Sequence, residues 1–368
     1  MTDVAKAGRA MAVAGFLVAS VLAASPVRAS DLIGSMRTMV TTYDDTILDI
    51  AHDNDLGLIE VMSANPGVDP WLPGANVTLT IPTAHILPDA PRKGIVINSA
   101  ELRLYYYGDP KNPKSFPIGI GRDGYLTPHG TTTVARKKEK PNWYLTPSEI
   151  ADHPELPTMI PPGPDNPLGS YALYLGWPSY LIHGTNTPWG VGRRVSRGCI
   201  RMYEEDIAWL FQRVEPGTPV NVVDQPVKLG RQDGELFIEV QPSSNQVTVM
   251  EETSKSPGPE EPLPIADWAD RILIAAGPDM ERLDWQAIES ALSRRQGYPI
   301  QITGGSGTVT AARIAGESVR YSPQSEQPRT ADTPAVAPPG ATGASPNAPK
   351  PLPLPADSSV PMVRTVPR

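Results

Sequence analysis

The chain has 368 residues, with 40 acidic against 32 basic side chains, a formal charge of −8 and one cysteine. That acidic balance disfavours nucleic acid as a partner, because such binding rests on neutralising phosphates with Lys and Arg. A lone thiol cannot form an intramolecular disulfide, so Cys199 is either a buried filler or a reactive group.

At the N-terminus Lys6 and Arg9 precede the apolar run "MAVAGFLVASVLAAS" and the small-residue site "PVRAS". The run holds about 15 residues, short of the roughly 20 that span a bilayer, so residues 1–29 read as a signal peptide cleaved after Ala29. Removing Lys6, Arg9 and Arg28 together with Asp3 leaves a mature chain of charge −10. We expect it to be exported and soluble in the periplasm, an uncleaved anchor being the alternative.

Residues 38–82 read as two short helices between two strands. "TILDIAHDN" places Ile47, Ile50 and Ala51 on one face, "GLIEVMSAN" places Leu58, Ile59 and Met62 likewise, and Val77, Leu79 and Ile81 alternate as a strand. From 93 to 224 the chain is strand-rich, starting with "GIVINSAELRLYYY". Within it, residues 137–170 carry too many prolines for regular structure and read as a lid over a site. Residues 225–304 read as a small α+β unit whose helix "IADWADRILIAAG" sets Ile265, Trp268, Ala269, Ile272 and Leu273 on a packing stripe. Beyond 319 the composition turns to Pro, Ala, Ser and Gly, with 12 prolines in the last 48 residues, and reads as a disordered tail.

Cys199 lies in "SRGCIR", sixteen residues after His183. If 197–201 is extended, Arg197, Cys199 and Arg201 point to one side, and two cations then lower the thiol pKa from about 8.5 toward neutrality. Gly198 lets backbone amides approach a reacting carbonyl, and the amides around Cys199 are candidates for an oxyanion hole. A thiol nucleophile needs a base, and of the five histidines His183 ranks first, since it ends an apolar strand and is followed by Gly184. His52, His85, His129 and His153 fall in the first module, a linker, a turn and the proposed lid. A Cys and His pair on its own is more often structural than catalytic.

Two resemblances sharpen these readings. "YDDTILDIAHDN", "IEVMSANPGVDPWLPG" and "LTIP" resemble the LysM module, which binds N-acetylglucosamine-containing glycans, with Asp44 where that family usually has Gly. "HGTNTPWGVGRRVSRGCIRM" resembles the signature of L,D-transpeptidase catalytic domains of the YkuD type: His-Gly, then Ser/Thr-X-Gly-Cys-hydrophobic-Arg/Asn. This second resemblance covers 93–224. It implies a mainly β, α+β chain: a β-rich catalytic domain between a small βααβ module and a C-terminal α+β unit. It also implies Cys199 as acyl-accepting nucleophile, His183 as base, Gly184 as an orienting neighbour, and Ser196, Gly198 and Arg201 as the surrounding motif. Many relatives have His where this chain has Arg197.

The implied reaction is acyl transfer on peptidoglycan without metal or cofactor. The thiolate attacks the carbonyl between meso-diaminopimelate and D-Ala of a tetrapeptide stem, and an amine resolves the thioester. That amine belongs either to another diaminopimelate, giving a 3→3 cross-link, or to an envelope protein. Arg201, Arg197, Arg193 and Arg194 are candidate anchors for stem carboxylates, and Trp189 and Trp177 candidate cleft walls. Glycan strands are the expected partner of the LysM-like module. Hydrolysis of the same bond, as a carboxypeptidase or on protein–peptidoglycan links, and a non-catalytic wall-binding scaffold are the competing readings.

Overall fold

The computed structural model describes residues 30–304 apart from 153, 257, 261, 262 and 264, so the expected signal peptide and Pro-rich tail lie outside the described residues. After a short strand at Leu32–Ile33 that pairs with His85–Ile86, the first module comprises strand β1 (Met36–Val40), helices α1 (Ile47–Asp53) and α2 (Leu58–Ala64), and strand β2 (Thr78–Pro82), with β1 and β2 paired antiparallel. Thr46 caps α1 by accepting from the Asp49 N–H at 3.1 Å, and the Gly57 N–H donates to Glu60 at the start of α2. Helices of seven residues are marginal alone, so packing must hold them. The packing is evident: Ile47, Ile50 and Ala51 are buried, as are Leu58, Ile59, Val61, Met62, Ser63 and Ala64 of α2.

An eight-stranded sheet follows, built from β3 (Gly94–Asn98), β4 (Arg103–Tyr107), β5 (Lys114–Pro117), β6 (Gly130–Glu139), β7 (Tyr171–Leu175), β8 (Leu181–His183), β9 (Ile200–Arg201) and β10 (Pro219–Val223). Its order is β9-β8-β7-β6-β10-β3-β4-β5. Most neighbours are antiparallel, but β10 runs parallel to β3 and β9 parallel to β8. Ile95, Ile97, Leu104, Val134, Leu173, Ile182, Ile200 and Val220 share one core with Ile207 and Leu210 of helix α4 (Glu204–Phe211). That core also takes in α1 and α2, so the first module is packed onto the sheet rather than standing apart.

The segment 137–170 is more regular than its prolines suggest. It contains the end of β6, helix α3 (Pro147–Asp152), and a short ribbon pairing Trp143–Tyr144 with Met159–Ile160. The reason is Asn166, fully buried, whose side-chain amide donates to the carbonyls of Pro141, Ile160 and Pro161. One side chain thus supplies donors that a proline-rich backbone lacks.

The last described elements are β11 (Val227–Gln232), β12 (Glu235–Val240), α5 (Ser244–Thr253), α6 (Ile265–Ala276), α7 (Trp285–Arg294) and β13 (Ile300–Gln301). The three strands form a sheet in that order, over a second core of Val227, Ile238, Ile272, Ala276, Ile288 and Leu292. In α6 the inward stripe runs through Trp268, Ile272 and Ala276, while Leu273, expected on it, is exposed. The cause is the i, i+4 spacing: 268, 272 and 276 stack, and 273 turns away.

Candidate active site

Strands β8 and β9 place the two reactive side chains. They pair in parallel, with Ile182 opposite Ile200 and His183 opposite Arg201. Ile182 and Ile200 are fully buried on the core face, so alternation turns His183 and Arg201 to the other face, and Cys199 immediately precedes β9. His183 Nδ1 lies 2.6 Å from the Gly184 carbonyl, which can only accept, so Nδ1 carries the proton and Nε2 is left as the basic nitrogen.

The approach of Gly184 has a visible cause in Glu204, the first residue of α4. Its carboxylate accepts from the Thr185 N–H at 2.7 Å and the Ser170 N–H at 3.0 Å. A Cβ on Gly184 would sit 1.9 Å from Glu204 Oε1, so a side chain there would have to push that carboxylate out of its place.

The turn before Cys199 is equally constrained. Ser196 Oγ donates to the Cys199 carbonyl at 2.5 Å and accepts from the Gly198 N–H at 3.1 Å. Gly198 has φ +104°, and a Cβ there would lie 2.8 Å from the Tyr180 ring. Thr127 Oγ1 donates to the Gly198 carbonyl at 2.9 Å. Because a trans peptide opposes its C=O and N–H, this bond aims the Cys199 N–H away from Thr127. The Gly198 N–H, a candidate oxyanion donor in the sequence, is already engaged by Ser196.

The expected extended run 197–201 is absent. A strand at Arg194–Ser196 ends before the positive φ of Gly198, and β9 begins at Ile200. Arg197 is thereby separated from the thiol and instead pairs with Asp152, at the end of α3, and with the Tyr125 hydroxyl at 3.3 Å. Arg201 remains on the face of His183, and its buried Nε has no hydrogen-bond partner. Trp189 is 52% exposed on a 3₁₀ turn, Pro188–Gly190, whose Gly190 abuts the Arg201 guanidinium. Arg193 points its side chain toward Glu251 of α5, while Arg194 donates its backbone N–H to Glu251 and its guanidinium to the Ser99 carbonyl. Trp177 packs against the main core and, edge-on, against Tyr180.

The thiol is not activated in this resting arrangement. Burial pushes Cys199 up to about 11; Glu149 of α3 acts in the same direction, against the Leu181 backbone hydrogen bond and Arg201. Burial likewise pushes His183 down to about 3, with Arg201 adding to the effect and the Gly184 carbonyl opposing it. At neutral pH the pair is therefore thiol and neutral imidazole, not thiolate and imidazolium. The sequence suggested a lowered thiol pKa because it counted two adjacent arginines and could not weigh desolvation.

Elsewhere among the described residues, His85, Glu101 and Glu239 bring ligand-type atoms within 4.8 Å of one another. Lys228 Nζ lies 2.8 Å from Glu101 and 2.9 Å from Glu239, so an ammonium already supplies the positive charge of that cluster.

The YkuD family, the L,D-transpeptidase catalytic domain, matches residues 92–222. The chain is 43% identical over 291 residues to the probable L,D-transpeptidase ErfK/SrfK of Escherichia coli, covering 76% of this chain and 90% of that protein. The chain belongs to the L,D-transpeptidase family. It is also 39% identical over 306 residues to the probable L,D-transpeptidase YbiS of E. coli, covering 80% of this chain and 96% of that protein. To the probable L,D-transpeptidase YcfS it is 45% identical over 234 residues, covering 60% and 73%. This L,D-transpeptidase has, among its described residues, no helix long and apolar enough to cross a membrane.

Proposed function

We propose that the protein transfers acyl groups between peptidoglycan stems in the periplasm, with Cys199 as nucleophile and His183 as general base. The observation that carries this reading is the parallel pairing of β8 with β9, which sets His183, with its basic Nε2, opposite Arg201 and so near the segment that holds the Cys199 thiol. Because thiol and imidazole rest neutral, the thiol proton moves to Nε2 as sulfur attacks the carbonyl between meso-diaminopimelate and D-Ala. The Cys199 N–H, oriented through Thr127, donates to the developing oxyanion. Imidazolium returns its proton to the departing D-Ala amine, leaving a thioester. An acceptor amine then attacks that thioester, gives its proton to His183 and restores the thiol. The acceptor is the side-chain amine of a second diaminopimelate or an amine of an envelope protein. Arg201, with its unpartnered Nε, anchors a stem carboxylate, and Trp189 lines the cleft edge.

Residues 38–82 act as a LysM-type glycan holder. Tyr43 on the β1–α1 loop and Trp71 and Leu72 on the α2–β2 loop are exposed, and the loops are joined by Thr41 Oγ1 donating to Gly74 and Ile47 N–H to Pro70. Two aromatic faces on adjoining loops suit stacking on sugar rings. Fixed to the catalytic sheet, such a holder raises the local concentration of stems.

The test is product analysis after incubating the mature protein with a disaccharide-tetrapeptide. A cross-linked dimer lacking one D-Ala, formed by the native protein and not by Cys199→Ala, is expected. Tripeptide as sole product would favour hydrolysis, and no cysteine-dependent product would favour the scaffold reading.

A further inference from the structure

We propose that Asp152 is an internal stand-in for a substrate carboxylate: it latches Arg197, two residues before Cys199 in the chain, and the free C-terminal carboxylate of a donor peptide opens the latch by taking its place. The substrate in this inference rests on the acyl-transfer reading above, while the latch itself rests on geometry.

Arg197 stands two residues before the nucleophile, with its side chain 20% exposed. Its guanidinium is set in place by the Tyr125 hydroxyl at 3.3 Å and by the Tyr125 ring, 4.8 Å from centroid to Cζ. Arg122 lies 5.2 Å from the same ring. The carboxylate on this cationic seat comes from Asp152, whose side chain is 50% exposed and so open to exchange. A D-Ala carboxylate has the same charge and the same two acceptor oxygens, and Arg pairs with either.

The helix carrying Asp152 gives the exchange a consequence at the thiol. Helix α3 has six residues, too few to persist without tethers. At its start Glu149 accepts from the Thr146 N–H at 2.7 Å; at its end stands the Asp152–Arg197 pair. Glu149 is the charge on α3 that disfavours ionisation of Cys199. Releasing Asp152 frees the end of α3, lets Glu149 withdraw, and leaves Arg197 paired with the donor. A carboxylate-ended donor therefore removes an obstacle to thiol chemistry as it binds. An ion pair this exposed is weak, so the internal competitor weakens anion binding by about two- to fivefold.

Cys199 is the sole cysteine, so alkylation reads this position alone. Iodoacetate carries a carboxylate and iodoacetamide does not. The Asp152→Asn variant is expected to raise the ratio of iodoacetate to iodoacetamide rates about two- to fivefold, and an unchanged ratio overturns the latch. The substrate arm compares donors ending in D-Ala and in D-alaninamide. Asp152→Asn should lower KM for the free acid by the same factor, leaving the amide's KM unchanged. An equal fall in KM for both donors overturns carboxylate exchange. A shifted alkylation ratio with neither donor turned over supports the latch and removes the peptide-donor reading instead.

Discussion

The hydroxyl of Thr127 reaches across 71 positions of sequence to the Gly198 carbonyl, while its oxygen accepts from the Gly121 N–H at 3.2 Å. It touches no reacting atom, so it acts by positioning the peptide that ends at the nucleophile. Thr127→Val keeps the shape and removes the hydroxyl. The expected result is a fall in kcat of about tenfold, less than loss of an oxyanion donor itself, with KM nearly unchanged and recovery in Thr127→Ser. Steady-state kinetics of the three proteins check it. Thr127 opens the segment "TPHGTTTVARK", which resembles the family, but no local period connects it to Gly198. Glu204 and Asp152 share that property: each meets its partner through the fold, Asp152 across 45 positions. Cys199 and His183, by contrast, stand out in the sequence, one as the lone cysteine, the other at the end of an apolar strand, and both through the motif spacing.

At the scale of elements, the loop before the Arg194–Ser196 strand and the start of α2 meet backbone to backbone. A Cβ on Gly192 would lie 2.3 Å from the Gly57 Cα, and Gly192 also has φ +73°. Tyr203, next to α4, donates to the Leu56 carbonyl at 3.2 Å, and His52 pairs with Glu205 at 2.5 Å. The first module is thus docked against the two segments that flank the nucleophile. Gly192→Ala combines backbone strain with overpacking, and thermal unfolding should show a loss of about 1–3 kcal/mol. Unchanged stability would mean that the contact at Gly57 is slack. The two helices and two strands of the module were readable from their periodicity. Their docking was not, since a buried Gly-to-Gly contact leaves no hydrophobic pattern.

Over the whole molecule, the described parts are joined by charges buried where they meet. Arg103 of β4 pairs with Glu60 of α2 at 2.8 Å and donates to the Asp55 carbonyl, and Lys228 of β11 pairs with Glu101 and Glu239. His85 lies among them with neither ring nitrogen hydrogen-bonded, and burial holds its pKa well below the usual value. Desolvation offsets much of what such pairs return, so their effect is to fix which surfaces meet. That arrangement holds the loops of Tyr43 and Trp71 in one body with the sheet that carries His183, as the proposed role in the wall requires. The central claim is that Cys199 carries the acyl group, and intact-mass analysis of the mature protein, mixed with disaccharide-tetrapeptide and quenched in acid, tests it most directly. The account predicts an adduct equal to the donor minus D-Ala, mapped to Cys199 and absent from Cys199→Ala. Cross-linked product formed by Cys199→Ala at the native rate, or an adduct on another residue, would contradict it.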